Sequence, residues 1–226
     1  MARRSFAVIG LGRFGMAMAS TLAELGQDVI GIDSNEEPVR AVAPLVAQAV
    51  QLDATDDKAL RSAGVQDVDV AVVSIGEHME ASLLVVVQVL GLGVREIIAK
   101  AVTPLHGTIL QKLGVSRVVY PEREMAVRVA HGLVVPNAVD YFELSADCSL
   151  VELPAPSDWV GKTLAELAIR RRFGLTLIAI RRRAEGEARE TTLVSPAADE
   201  RVAAGDVLAV LGEGSRIAKL DALRAR

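Results

Sequence analysis

Six residues near the start of the chain, Gly10-Leu11-Gly12-Arg13-Phe14-Gly15, have the types and spacing that hold phosphate. They follow a short apolar run, Phe6-Ala7-Val8-Ile9, and open a helical pattern. In a strand–turn–helix setting the first glycine permits the tight turn. The second lets the backbone approach a phosphate, and the third lets the helix pack close to the strand. The free amides and dipole of the helix start then favour an anion. Asp33 ends a second apolar run about 20 residues further on, where a carboxylate accepts from a ribose diol and disfavours a 2′-phosphate. These residues predict a nucleotide site. The plain alternative is a glycine turn that only packs.

Further candidates fall at strand ends. Arg13 adds a full positive charge at the helix start, beside a pyrophosphate or across an interface, unless it is a solvated surface arginine. Asp53 and Ala54, in Leu52-Asp53-Ala54-Thr55, face the adenine end of such a crevice; Asp53 is otherwise an N-cap-like turn residue, since Asp56 and Asp57 follow. Ser74 and Ile75, before Gly76, offer backbone amides to the crevice. Lys100 ends a strand and points either into the crevice or, by snorkelling, to solvent. Glu122 lies in the first turn of a helix, where a carboxylate also serves simply as an N-terminal charge.

Other chemistries lack their residues. His78, His106 and His131 show no metal-ligand spacing with one another or with Cys148, the single cysteine. There is no Gly-x-x-x-x-Gly-Lys-Ser/Thr phosphate loop and no nucleophile elbow. One cysteine excludes a disulfide framework. With 25 basic against 29 acidic residues, the net charge of -4 argues against a nucleic-acid partner. The run at residues 7–10 is too short for a signal-peptide core, and the longest apolar stretch, 81–93, is broken by Gln88 and falls short of the ~20 residues that span a bilayer. The reading is a soluble cytoplasmic protein that is not an enzyme.

The elements that must position these residues alternate in period. Strands are expected at 6–9, 28–33, 46–52, 68–74, 96–100 and 117–120. Helices are expected at 16–25, 36–42, 56–63, 78–90, 106–113 and 122–133, with Asn35 capping the second and Gly26, Gly64 and Gly114 as stops. Continuously apolar strands such as Val70-Ala71-Val72-Val73 need cover on both faces. The fold class is therefore α/β, a Rossmann-like doubly wound parallel sheet. Val134-Val135-Pro136-Asn137 closes the last helix. Beyond it come strands at 141–144, 149–153, 175–181, 190–194 and 206–211, helices at 163–171 and 215–223, and a polar turn at 183–187. This is a smaller α+β lobe. The expected division is 1–135, nucleotide-binding with a crossover helix, and 136–226, a lobe small enough to need a packing partner.

The glycine loop, with Leu52-Asp53-Ala54-Thr55, Lys100-Ala101 and Arg117-Val118-Val119-Tyr120-Pro121-Glu122, resembles RCK domains, the cytosolic regulators of potassium conductance. The resemblance runs on through Lys162-Thr163-Leu164-Ala165-Glu166-Leu167 and Phe173-Gly174-Leu175-Thr176-Leu177-Ile178-Ala179-Ile180, and covers nearly the whole chain. One N-lobe with one C-lobe is similar to the KtrA/KtrC type rather than the tandem TrkA type.

The resemblance implies dimers that assemble into an octameric ring beneath a membrane potassium-translocating subunit (KtrB/TrkH-like), peripheral at the inner face of the cell membrane. It implies ATP or ADP in the N-lobe, with ATP favouring the active ring. Arg13 matches the loop arginine that reaches nucleotide phosphate, Asp33 the ribose ligand and Asp53 the adenine-side position. Lys100 and Glu122 match positions near the phosphates, Glu122 helping to hold Mg²⁺ or Ca²⁺ between subunits. For cyclic di-AMP in the C-lobe, Arg170 matches a basic residue of the site, whereas Ala165 stands where an Ile is common. The alternative on the same fold is an NAD(H)-binding sensor or NAD-dependent oxidoreductase, although the second lobe offers no His to serve as base in hydride chemistry.

Overall fold

The strand Ser5–Ile9 (β1) is continuously apolar, and its pleat sends alternate side chains to opposite faces. Ala7 and Ile9 enter one core with Ala71 and Val73; Val8 enters another with Val70 and Val72. A strand buried on both faces needs helices on both. The computed structural model of the chain describes residues 3–76, 78–134, 139–145, 147–183 and 190–222. It divides into two compact units, Met1–Pro121 and Glu122–Arg226.

In the first unit β1 is followed by α1 (Arg13–Glu24), β2 (Asp28–Asp33), α2 (Glu36–Val42), β3 (Gln48–Gln51), α3 (Asp57–Ser62), β4 (Val70–Val73), α4 (Met79–Gly91), β5 (Glu96–Lys100), α5 (Pro104–Leu113) and β6 (Arg117–Val119). The six strands form one parallel sheet in the order β3-β2-β1-β4-β5-β6. Ala19 of α1 and Val39 and Val42 of α2 cover one face; Leu60, Val85, Val86, Val89 and Leu110 of α3, α4 and α5 cover the other. This is the doubly wound Rossmann-like sheet expected from the alternation of periods.

Two helices start earlier than their apolar periodicity indicated. α1 begins at Arg13 because the second half of the glycine loop is already its first turn, with Gly12 as N-cap and the Met16 amide donating to the Gly12 carbonyl at 2.8 Å. α5 begins at Pro104, after Thr103, whose hydroxyl accepts from the His106 amide at 3.1 Å. A capping threonine followed by proline at N1 is a start signal that periodicity alone passes over. Asn35 caps α2 as expected, accepting from the Glu37 amide at 3.2 Å.

The second unit holds α6 (Pro121–Val134, from Glu122 onward), β7 (Asp140–Ser145), β8 (Cys148–Pro154), α7 (Leu164–Leu167), α8 (Ile169–Phe173), β9 (Thr176–Arg183), β10 (Glu190–Val194), β11 (Val207–Gly212) and α9 (Gly214–Ala222). Its strands make an antiparallel sheet, β10-β9-β11-β8-β7. Trp159, Leu167, Ile169, Leu175, Ile180 and Leu208 form its core. The expected helix 163–171 is two short helices that meet at Ala168, whose φ of 46° is left-handed. Leu167 and Ile169 are both buried, and a continuous helix would turn them about 200° apart. The break brings both to the same core. The expected closing segment at 134–137 and the polar turn at 183–187 lie largely outside the described residues. Helix α6, expected to end the first lobe, falls with the second unit.

Candidate functional site

Because every strand of the first sheet runs the same way, every carboxyl end lies on one edge of the sheet. β1 has β2 on one side and β4 on the other, so the crossovers leave it in opposite directions, and a crevice opens at the end of β1. The glycine loop fills that position.

Each glycine of the loop has a different physical reason. Gly10 has φ +91°, a backbone conformation that L side chains rarely adopt, and a Cβ there would meet the Ile75 amide nitrogen at 3.2 Å. Gly15 sits under the turn: a Cβ there would stand 1.8 Å from the Gly10 carbonyl oxygen and 2.5 Å from Ser74 Oγ. Gly12 is unlike both. Its φ of -66° suits any residue, and a Cβ would meet nothing within 4 Å. Among the described residues nothing requires a glycine there, and Gly12 leaves open space against the first turn of α1.

Asp33, the last residue of β2, faces the loop. One carboxylate oxygen accepts from the Leu11 amide at 2.6 Å and the other from the Asn35 amide at 2.9 Å. Ser74 follows β4 and is buried. Its hydroxyl donates to the Gly10 carbonyl, with the Ile9 carbonyl also 3.2 Å away. The sequence reading named Ser74 for its backbone amide and missed this hydroxyl; a serine at the end of a buried strand was the available signal. Lys100, at the end of β5, extends over Gly76, where a Cβ would lie 3.3 Å from its Nζ, and its ammonium stands 6.0 Å from the Phe14 ring centroid. Arg13 is exposed on the first turn of α1.

Thus Gly10, Gly12, Arg13, Phe14, Gly15, Asp33, Ser74, Ile75 and Lys100 gather on one edge of the first sheet. Asp53 stands past β3. The Thr55 amide at 2.9 Å and hydroxyl at 2.7 Å donate to its carboxylate, and the amide bond first, then the hydroxyl, hold its pKa below the usual range. That is the turn role weighed beside the adenine-side role. The Ala54 side chain is buried in the core. Glu122 is in the first turn of α6 and belongs to the second unit. Among the described residues no three His, Cys, Asp or Glu side chains group as a metal site, and no helix is long and apolar enough to cross a membrane.

Comparison with known proteins agrees with this architecture. The TrkA-N domain family matches residues 6–121 and the TrkA-C domain family residues 148–224. The chain is 39% identical over 219 residues to the Ktr system potassium uptake protein C of Bacillus subtilis (strain 168), covering 97% of this chain and 96% of that protein. Among solved structures it is similar to the GsuK RCK domain (TM-score 0.53, 25% identity, 98% of this chain and 46% of that one). It shares its fold with the GsuK channel bound to NAD (TM-score 0.63, 20% identity, 100% of this chain and 40% of that one). The chain thus spans less than half the length of these GsuK chains. Two family domains in sequence over most of the chain, and a potassium uptake relative matched nearly end to end, lead to one conclusion: this chain belongs to the RCK family, among its TrkA-N/TrkA-C proteins of Ktr potassium uptake systems.

Proposed function

We propose that the chain is a nucleotide-sensing regulatory subunit that binds ATP or ADP in its first unit and controls a membrane potassium transporter from the cytosolic side. The observation that carries the nucleotide reading is the uneven demand for glycine in the loop. Gly10 and Gly15 answer to protein atoms, whereas Gly12 answers to open space at a helix start. The residues fit a nucleotide: loop amides and Arg13 for the phosphates, Asp33 for the ribose diol, Asp53 beside the adenine, Lys100 at the phosphate end. When bound, the nucleotide supplies the polyphosphate charge that these groups balance. Glu122 would hold Mg²⁺ or Ca²⁺ with ATP, sharing the cation with a second subunit.

Assembly is part of the proposal. Met125, Val129 and Leu133 recur every four residues on α6 and are exposed, Leu133 by 80%. Such a stripe expects cover from another copy, in dimers that build an octameric ring under the translocating subunit.

The second reading is NAD(H) sensing, favoured by the NAD-bound GsuK structure. Both ligands carry a ribose diol, so Asp33 does not separate them. Fluorescence competition on purified chain does: ATP and ADP should displace a fluorescent adenine nucleotide at lower concentration than NADH. Preference for NADH would overturn the ATP/ADP reading and leave the family assignment standing. Reconstituted with its translocating subunit, the chain should change potassium flux on adding ATP; flux indifferent to the chain would end the regulatory reading.

A further inference from the structure

The loop residues Gly10 and Leu11 share one peptide unit, and both ends of that unit are held by side chains from neighbouring strands. The carbonyl belongs to Gly10 and receives the Ser74 hydroxyl from the end of β4. The amide belongs to Leu11 and donates to Asp33 Oδ2 at the end of β2, at 2.6 Å. The Gly10 amide is itself occupied by the Ile32 carbonyl of β2 at 2.8 Å. The Leu11 side chain is buried, packed beneath Gly31.

The geometry points to Ser74 and Asp33 as a two-sided clamp that presets the phosphate loop before any ligand arrives, making both positioning residues as well as neighbours of the site. This rests on the reading of the loop as a phosphate site. Only one orientation of the Gly10–Leu11 peptide sends its carbonyl toward β4 and its amide toward β2. Flipped, it would leave the buried Ser74 hydroxyl only the Ile9 carbonyl at 3.2 Å and would take from Asp33 one of its two amide donors, a loss of two hydrogen bonds at once. Beyond Gly10, whose own φ is +91°, the fixed peptide sets ψ of Gly10 and φ of Leu11, and so the direction in which the chain leaves toward Gly12 and the first turn of α1. Those are the amides an anion would use. A preset donor array loses less on binding than one that must be ordered first.

The clamp separates two contributions of Asp33 that a ribose ligand alone would not have. Asp33→Asn retains the size of the side chain but has one acceptor oxygen for two amide donors, at Leu11 and Asn35. One of them must lose its partner. Ser74 is buried behind Gly10 and Gly15, so Ser74→Ala acts on the loop through the Gly10 carbonyl.

The test uses the full chain and two probes, inorganic tripolyphosphate, which has no ribose, and adenosine, which has no phosphate. Amide hydrogen exchange is followed at Leu11 without ligand. In the wild type the Leu11 amide should be protected. Ser74→Ala and Asp33→Asn should each speed its exchange at least tenfold and weaken tripolyphosphate about tenfold. Ser74→Ala should weaken adenosine by less than it weakens tripolyphosphate. Because both variants act on one peptide unit, the double variant should lose less than the product of the two single losses. Rapid exchange at Leu11 in the wild type, or tripolyphosphate affinity unchanged in both variants, overturns the clamp. If one variant does not fold, the other and the wild-type exchange still decide. A wild type with a protected Leu11 amide and no affinity for tripolyphosphate keeps the clamp and overturns the phosphate reading of the loop.

Discussion

Arg128 forks onto Asp140: Nη2 reaches Oδ2 at 2.6 Å and Oδ1 at 2.8 Å, and Nε reaches Oδ1 at 3.1 Å. The same guanidinium lies 4.0 Å from the Phe142 ring centroid. Helix α6 is thereby tied to the edge strand β7, one residue from the contact of His131 with Tyr141. Two-point ion pairing with a ring beneath it exceeds an ordinary surface pair, so Arg128→Ala should cost about 1–2 kcal/mol. The Arg128 hydrogen bonds hold the Asp140 carboxyl below its usual range, against an opposing desolvation. This stabilisation is full above the unfolded carboxylate value of about 4 and is lost as pH falls through the lower folded value. Urea titrations between pH 3 and 6 should therefore show a shallower acid loss in Arg128→Ala than in wild type; parallel curves would mean that the pair contributes nothing.

The glycines should separate by mutation. Gly15→Ala puts a methyl into the Gly10 carbonyl and Ser74, and should cost about 2–3 kcal/mol with loss of nucleotide binding. Gly12→Ala meets no protein atom and should stay within about 1 kcal/mol of wild type, yet its methyl occupies the space next to the helix start. Affinity for ATP and ADP should fall tenfold or more. Thermal melts paired with calorimetry check both; an alanine at position 12 that binds as wild type does would place the phosphates elsewhere.

The ribose assignment is best checked from the ligand side, since Asp33 also holds the loop. A hydrogen bond to a charged acceptor contributes about 1.5 kcal/mol or more. Wild-type protein should bind 2′-deoxy-ATP and 3′-deoxy-ATP at least tenfold more weakly than ATP. Equal affinities for all three would remove Asp33 from the ribose.

Much of the candidate site's geometry was legible because its signals are local. Gly10, Gly12 and Gly15 are readable from spacing, Asp33 from its place after an apolar run, and Asn35 from its cap position. What stayed hidden depends on partners far away in sequence. The Ser74 hydroxyl has meaning only once β4 lies beside β1, and the Lys100–Phe14 contact only once β5 reaches the loop. The second unit shows the same division. Its strands follow alternation, whereas the reversal at Ala168 follows from two buried residues, Leu167 and Ile169, that helical periodicity would set apart.

The switch prediction follows from ligand chemistry. ATP and ADP differ by one phosphoryl group, and a ligand shifts an equilibrium only through its differential affinity for the two states. Arg13→Ala and Glu122→Gln should lose the difference between ATP and ADP in potassium flux while still binding ADP. Glu122→Gln should also make flux insensitive to Mg²⁺. Flux measured in reconstituted complex decides; if both variants still distinguish the nucleotides, the γ-phosphate is read by other residues.

His106 is fully buried on α5, and neither ring nitrogen has a hydrogen-bond partner among the described residues. Burial pushes its pKa below the usual value. The folded state then favours the neutral ring. Its contribution is intact above the unfolded value of about 6.5 and falls away as pH drops toward the lower folded value. His106→Leu removes the orphaned nitrogens and should raise stability at pH 7 by up to about 1 kcal/mol. Its melting temperature should also change less than that of wild type between pH 7 and 5. An unchanged pH profile would assign the acid sensitivity to other groups.

The Gly10 carbonyl, which receives the Ser74 hydroxyl and lies over Gly15, binds three positions into one unit of inheritance. A lineage that acquires alanine at 15 must displace that carbonyl, and giving up the hydroxyl at 74 alone does not make the room. Drift at 15 is therefore closed for as long as the turn at Gly10 keeps its shape. The recognisable signature of this site is a shape in space, three glycines with an aspartate and a serine around one turn. Homologues that keep the glycine spacing without that pair would carry the motif without the two side chains that hold its turn.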